Sequence, residues 1–222
     1  MGAGSRGLSS RTFFVRTLLR WGRRNRRDFP WRSDTDPFRV LVAEILLQRS
    51  RAGTVAKVYE ALFARWPTPE TLAGADPDEI RTVIRPLGLV SRAVRLRDLA
   101  AVVAEGGVPR SPEDLQRLPG VGAYAARATA AVAFGRRTAV VDGVSARVYR
   151  RYFGAEAVLA PTADPALWRL VEEVTPNAAV REWNWAVLDH ASAICTPKVP
   201  RCGLCPLEPR CAYAVSGGRR AE

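Results

Sequence analysis

Lysine and histidine are nearly absent from this chain of 222 residues. Lys57 and Lys198 are the only lysines among 34 basic residues, and His190 is the only histidine. The scarcity of lysine limits any chemistry that needs an amine nucleophile. We assign His190 no catalytic role, because a lone histidine in a helical pattern more often serves core packing or hydrogen bonding.

Long apolar runs are also missing. No segment approaches the roughly 18 apolar residues of a membrane span, and no apolar signal core follows Met1. An arginine-rich start is typical of organellar transit peptides too, but Phe13, Phe14 and Leu18 fit a folded amphipathic helix better. We therefore expect an intracellular, cytoplasmic protein with no membrane partner.

Acidic residues are too few to balance the basic ones. The chain has 34 basic and 22 acidic residues, a net charge of +12. Such a field attracts polyanions, of which nucleic acid is the commonest and an anionic membrane surface the weaker alternative. Arginine can hold phosphate through two parallel hydrogen bonds, although a codon bias would produce the same excess of arginine.

Helical periodicity, by contrast, runs along almost the whole chain. Polar residues followed by proline, as in Thr68-Pro69 and Ser111-Pro112, mark helix starts. No low-complexity linker or internal repeat divides the sequence. The pattern predicts an all-α fold with helices over residues 13–24, 37–48, 52–66, 68–73, 77–84, 91–105, 112–117, 123–134, 144–152, 165–174 and 181–195.

All four cysteines lie within 17 residues, at Cys195, Cys202, Cys205 and Cys211. In an intracellular chain, such clustered thiols indicate a metal site before they indicate disulfides. Zinc and a [4Fe–4S] cluster both accept four sulfurs, so the number of ligands does not choose between them.

The spacing C-x6-C-x2-C-x5-C resembles the cluster loop of the endonuclease III superfamily, the helix-hairpin-helix DNA glycosylases. The resemblance implies that the four cysteines ligate a [4Fe–4S] cluster with a structural and DNA-contacting role. Zinc and two disulfides stay open as weaker alternatives. The resemblance extends over residues 29–211.

A second part of the resemblance is Leu118-Pro119-Gly120-Val121-Gly122, which is similar to the hairpin of that family. Glycine there allows unusual backbone dihedrals and brings backbone N–H groups against a phosphate, beside the positive end of the next helix. We expect Gly120, Val121 and Gly122 to bind DNA without reading its sequence. Taken alone, the segment is equally typical of a turn between helices.

The segment Val141-Asp142-Gly143-Val144 precedes a predicted helix, so Asp142 fits a helix N-cap. The family resemblance implies a catalytic role as well. Cleavage of an N-glycosidic bond develops positive charge on the deoxyribose, and a fixed carboxylate can stabilise that charge and orient water.

The residue type at position 124 differs between branches of the family. The lyase branch carries a lysine two residues after the second hairpin glycine, where its amine forms a Schiff base. Here that position is Tyr124, and neither Lys57 nor Lys198 lies near the motif. The resemblance therefore implies a glycosylase without lyase activity, closest to the branch that removes thymine mispaired with guanine. A buried helix aromatic is the structural alternative.

The remaining site residues follow from segments similar to both monofunctional branches. Glu44 would contact the extruded base, as an acid or a hydrogen-bond partner. Gln48 would fill the gap left by the flipped base, with Arg49 or Arg51 at the orphan guanine or its phosphate, and Leu89 is a candidate wedge. A solvated basic stripe is the alternative for the arginines.

The resemblance predicts a six-helix barrel over residues 33–137, with the hairpin motif at about 112–134. Residues 1–32 and 138–222 would form a second α-helical domain with the cluster loop at 195–211. The substrate would be double-stranded DNA carrying a mismatched or damaged base, bound by a nucleoid-associated monomer.

Three functions stay open at this point. The first is hydrolytic removal of thymine or uracil opposite guanine. The second is removal of adenine opposite guanine or 8-oxoguanine, although the chain ends soon after Cys211, where adenine glycosylases continue into a further recognition domain. The third is a non-catalytic iron–sulfur protein that binds DNA or senses redox state.

Overall fold

The computed structural model describes residues 3–88, 90–157 and 159–217, and it describes side chains from Ser10 onward. Within these ranges the regular elements are helices, and there is no strand. The predicted all-α fold is confirmed. No helix in this part of the chain is long and apolar enough to cross a membrane.

Two compact units make up the chain. One consists of Asp28–Phe134, and the other combines Met1–Arg27 with Gly135–Glu222. Each unit has its own cluster of buried apolar side chains.

The continuous unit contains the following helices: α2 (Pro30–Ser33), α3 (Pro37–Leu47), α4 (Ala52–Arg65), α5 (Pro69–Ala73), α6 (Pro77–Ile84), α7 (Arg92–Gly106), α8 (Pro112–Leu115) and α9 (Ala123–Phe134). A 3-10 turn, Arg85–Leu87, follows α6. Proline in the first turn and an Asp, Thr or Ser cap begin α3, α5, α6 and α8. These local signals explain why the predicted starts at residues 37, 77 and 112 are correct.

Helix α9 lies deep in this unit. Most of its side chains are alanine, and those from Ala125 to Val132 are buried except for Arg127. Small side chains allow it to pack closely against α3, whose residues Val40–Leu46 are all buried. The two helices that carry Glu44 and Tyr124 are therefore direct neighbours.

The discontinuous unit contains α1 (Ala3–Asn25), α10 (Gly143–Phe153), α11 (Pro165–Val174), α12 (Val180–Ala193) and α13 (Ala212–Val215). Helix α1 begins ten residues before the predicted start. It packs against α12 at Gly22, where an added Cβ would lie 2.5 Å from the Cβ of Ala186. Phe14 anchors the same helix in an aromatic group with Tyr149, Tyr152 and Trp183.

Candidate DNA-repair site and cysteine centre

The hairpin joins α8 to α9 in the continuous unit. Leu118 and Val121 are buried and anchor the turn, and the Val121 amide donates to the Leu118 carbonyl over 3.2 Å. Gly120 is exposed and has φ of +75°, a conformation that L side chains rarely adopt. Gly122 lies outside the left-handed region and has open space at its Cβ position. Only the first glycine is therefore required by backbone conformation.

Glu44 and Tyr124 belong to the same unit as the hairpin. Glu44 is a buried carboxylate on the otherwise apolar face of α3. Tyr124 is half-buried in the first turn of α9, two residues after Gly122. Glu44 is therefore a buried acid beside the helix that starts at the hairpin. In this arrangement it can donate a proton or a hydrogen bond to a nucleobase held near the hairpin.

A loop at the end of α3 presents three predicted DNA contacts. Gln48 is half-buried, while Arg49 and Arg51 are exposed. Arg49 has φ of +57°, a left-handed conformation that is strained for a residue with a side chain. The predicted wedge, Leu89, lies outside the described residues.

Arg92, from α7, holds this loop. Its buried guanidinium donates to the carbonyls of Ile45 and Leu46 over 2.9 and 3.4 Å, and to that of Gln48 over 2.5 Å. The Ile45 and Leu46 carbonyls lie in the last turn of α3, and that of Ile45 also accepts from the Gln48 amide over 3.3 Å. The pKa of Arg92 is lowered, first by burial and then by the charges of Arg49 and Arg95. A single side chain thus fixes the backbone from which Gln48 and Arg49 project.

Asp142 lies in the other unit, as the N-cap of α10. Its Oδ1 accepts from the amides of Val144 and Ser145 over 3.0 and 2.6 Å, and the Ser145 hydroxyl accepts from the Asp142 amide over 3.0 Å. Oδ2 has no hydrogen-bond partner within the described part of the chain. The N-cap interpretation is thus correct, and it leaves one carboxylate oxygen available on a half-buried, rigidly held group.

Two arginines connect α10 to the cysteine loop. Arg147 donates to the carbonyls of Cys195 and Ala191 over 2.7 and 3.0 Å. Arg151 donates to the carbonyls of Thr196 and Pro197, each over 2.7 Å. The helix that Asp142 caps therefore also positions the first cysteine.

The four cysteines, which lie within 17 residues of one another in the sequence, line one shared cavity. Each thiol is half-buried and free of disulfides. The walls include Arg151, His190 and Tyr213. The Arg151 guanidinium lies 3.6 Å from Cys195 Sγ, and His190 Nε2 lies 3.3 Å from Cys205 Sγ. Soft sulfur donors on a common cavity, with two N–H groups beside them, fit a metal group held by thiolates.

Burial sets the acid–base properties around this cavity. It raises the pKa of Cys205 to about 11 and also raises the pKa of Cys202 and Cys211. It lowers the pKa of His190 to about 4. Neutral thiols and a neutral imidazole are therefore favoured until a cation compensates the thiolates.

Comparison with known proteins places these features in one family. Residues 42–173 match the model of the HhH-GPD superfamily base excision DNA repair proteins. The chain belongs to this superfamily. It is 38% identical over 207 residues to a thymine/uracil-DNA glycosylase of Methanothermobacter thermautotrophicus, covering 91% of this chain and 94% of that protein.

Two further relatives bear on the HhH-GPD fold and its branches. The solved structure of a thermostable thymine-DNA glycosylase superposes with a TM-score of 0.89 at 38% identity, covering 95% of this chain and 99% of that one. A human adenine DNA glycosylase is 37% identical over 225 residues, covering 93% of this chain but 40% of the human protein. The predicted family is confirmed.

Sequence reasoning missed two side chains that contact the candidate sites. Arg92 is one more arginine in an arginine-rich chain, and the α3 carbonyls it binds are 44 to 47 residues away. For His190 the sequence predicts core packing or hydrogen bonding without naming a partner, and in the structure its ring reaches a cysteine 15 residues later. The only available signal for His190 was its position, five residues before the first cysteine on the helix that enters the loop.

Proposed function

We propose that this HhH-GPD protein is a monofunctional DNA N-glycosylase that removes thymine or uracil mispaired with guanine and leaves an abasic site. The observation that carries the proposal is Asp142, whose carboxylate is fixed through Oδ1 and open at Oδ2. The similarity to thymine/uracil-DNA glycosylases over nearly the whole length of both chains supports the choice of base.

In this mechanism Asp142 acts on the sugar. As the glycosidic bond breaks, positive charge develops on the deoxyribose, and the open oxygen of Asp142 stabilises it and orients the attacking water. Because two backbone amides hold the other oxygen, the carboxylate needs no reorientation when the charge appears.

Glu44 acts on the departing base. Its carboxyl protonates the base or accepts a hydrogen bond from it, and Tyr124 borders the same region from the neighbouring helix. The hairpin amides grip the phosphate backbone, Gln48 enters the gap left by the flipped nucleotide, and Arg49 and Arg51 contact the orphan guanine or its phosphate.

The reaction is hydrolysis without strand cleavage. A Schiff-base lyase needs an amine at the sugar, and position 124 offers a phenol instead. The two lysines are exposed, Lys57 on α4 and Lys198 in the cysteine loop, and neither belongs to the hairpin or to α9. We therefore expect borohydride to trap no covalent DNA adduct, and an abundant adduct would contradict this part of the proposal.

The cofactor we propose is a [4Fe–4S] cluster held by Cys195, Cys202, Cys205 and Cys211. A single zinc lies about 2.3 Å from each of four sulfurs, so they must converge to about 4 Å of one another. Among the described residues, no three cysteine, histidine or acidic side chains are grouped closely enough to hold one ion. Thiolates that line a shared cavity suit a cluster, which distributes them over four irons. When bound, the cluster would cross-link residues 195–211 of the loop that follows α12.

A second candidate is adenine removal, which the 37% identity to the human adenine DNA glycosylase favours. One panel of duplexes separates the two, with T:G, U:G, A:G and A:8-oxoguanine pairs incubated with the purified protein. We expect the rate constant for base release to be higher for the T:G and U:G duplexes than for the two adenine duplexes. Release confined to the adenine duplexes would reject the proposed specificity, and release from none would favour the non-catalytic alternative.

A further inference from the structure

His190 is a buried polar residue for which the proposed base-release mechanism has no use. Its side chain is 1% exposed, and it lies on α12 in the wall of the cysteine cavity. Its Nε2 lies 3.3 Å from Cys205 Sγ. Its backbone carbonyl accepts from the amides of Ile194 and Cys195, each over 2.9 Å. One residue therefore contacts the first cysteine through its backbone and the third through its ring.

The surroundings of the ring determine which nitrogen carries the proton. A neutral imidazole has one N–H group. Nδ1 is buried and has no hydrogen-bond partner in the described structure, so a proton there would be buried without an acceptor. The adjacent carboxylate, Asp189, binds Arg27 through both oxygens, over 2.6 and 3.1 Å. In the other tautomer the proton is on Nε2 and faces the sulfur. Nδ1 is then a buried acceptor without a donor, which costs less than a buried N–H group without an acceptor.

The ring is also fixed in orientation. Trp21 of α1 packs against it with ring centroids 5.3 Å apart and planes at 87°. An imidazole held this way cannot turn its unpaired nitrogen to the surface. The geometry therefore maintains one contact, from Nε2 to Cys205.

We propose that His190 donates an N–H···S hydrogen bond from Nε2 to the Cys205 thiolate and thereby raises the reduction potential of the cluster. The inference rests on the proposed [4Fe–4S] cofactor. A hydrogen bond to a ligating sulfur withdraws electron density from it and stabilises the more electron-rich state of the cluster. Arg151 adds a second, cationic donor at Cys195, so the two donors serve two different thiolates.

Substitution of His190 by two amides of different length tests this bond. In His190→Gln the side-chain amide reaches the position of Nε2, whereas in His190→Asn it reaches only that of Nδ1. We expect the cluster potential, measured by voltammetry on the purified holoprotein without DNA, to shift to more negative values in His190→Asn and to return towards the wild-type value in His190→Gln. His190→Leu, which has no donor, should behave like His190→Asn.

A measurement on the unmodified protein makes the test independent of variant folding. Because the chain has one histidine, labelling with ¹⁵N-histidine gives signals from this ring alone. We expect the shifts of a ring protonated at Nε2, with hyperfine broadening of that nitrogen from the cluster. A ring protonated at Nδ1, or equal potentials in all four proteins, would overturn the inference.

Iron and sulfide analysis separates this result from the cofactor proposal. Protein purified with four irons and four sulfides, but with a potential insensitive to position 190, would reject the hydrogen bond and leave the cofactor intact. Protein that contains zinc or no metal would reject both.

Discussion

At the scale of single residues, the site depends on atoms that have two uses. Asp142 caps α10 with one oxygen and keeps the other free, so the feature that stabilises the helix also orients the proposed catalytic group. Arg49 holds a left-handed backbone conformation at an exposed position. Strain of this kind persists where the surrounding structure imposes it, and here the three carbonyl contacts of Arg92 do so.

Asp142→Asn separates the charge from the cap. Asparagine is as good an N-cap as aspartate, so α10 should keep its stability while the negative charge at the sugar is lost. We expect base release to fall by about 10²-fold or more with little change in DNA affinity or Tm, as measured by single-turnover kinetics, titration and thermal unfolding.

Ser145→Ala is the matched control for Asp142→Asn. It removes the reciprocal bond to the Asp142 amide and keeps the carboxylate. We expect it to cost about 0.5–1 kcal/mol of stability with base release nearly intact. Equal base release in wild type and Asp142→Asn would contradict the proposed mechanism.

Arg49→Gly and Arg49→Ala separate strain from charge. Both remove the guanidinium and should weaken DNA binding by the same factor, but only glycine adopts φ of +57° without a steric penalty. We expect Arg49→Gly to be the more stable of the two by about 1 kcal/mol in denaturant unfolding. Equal stabilities of the two variants would show that the backbone at position 49 is not strained.

At the scale of elements, local sequence signals predicted most helix positions. They missed the helical segments that have no clear local signal. The expected helices at 37–48, 77–84, 123–134 and 165–174 agree with the structure to within a residue, because caps, proline and periodicity all act locally. Helix α2, at Pro30–Ser33, is too short to show a period. Residues 3–12 are rich in glycine and serine, yet they continue α1.

The contact between α1 and α12 provides a prediction at this scale. In Gly22→Ala the new methyl group would lie 2.5 Å from the Cβ of Ala186, so the two helices must separate. We expect a loss of about 1–3 kcal/mol in the free energy of unfolding, measured with denaturant.

Gly53→Ala controls for the intrinsic effect of the substitution. Gly53 lies in α4, and a Cβ there meets nothing within 4 Å. Alanine should therefore stabilise the protein by about 0.5–1 kcal/mol, since it has the higher helix propensity. Stabilisation by both substitutions would mean that the α1–α12 contact is looser than described.

At the scale of the whole molecule, charge governs the encounter with DNA. A net charge of +12 on 222 residues, carried almost entirely by arginine, provides a sequence-independent attraction to phosphate. The two compact units each have a separate core, so neither depends on DNA for its own packing.

DNA binding should weaken steeply with salt. The logarithm of the association constant is expected to fall linearly with the logarithm of salt concentration, by about 0.9 for each phosphate contact. Where Arg49 or Arg51 contacts a phosphate, its change to Gln should reduce the slope by about one, while Arg65→Gln, whose side chain pairs with Glu79, should leave it unchanged. If neither Arg49→Gln nor Arg51→Gln changes the slope, these two arginines do not contact phosphates.

Residue type and spacing were enough to predict the helical class, the basic charge, the glycine hairpin, the absence of an amine at position 124 and the clustering of the four cysteines. These features are local, or are simple sums over residues. The packed fold was needed to see which atoms meet and which remain open, namely Oδ2 of Asp142, the carbonyls bound by Arg92, and the histidine nitrogen that faces Cys205. Those contacts join residues far apart in the chain or depend on side-chain orientation, which packing sets and residue spacing does not.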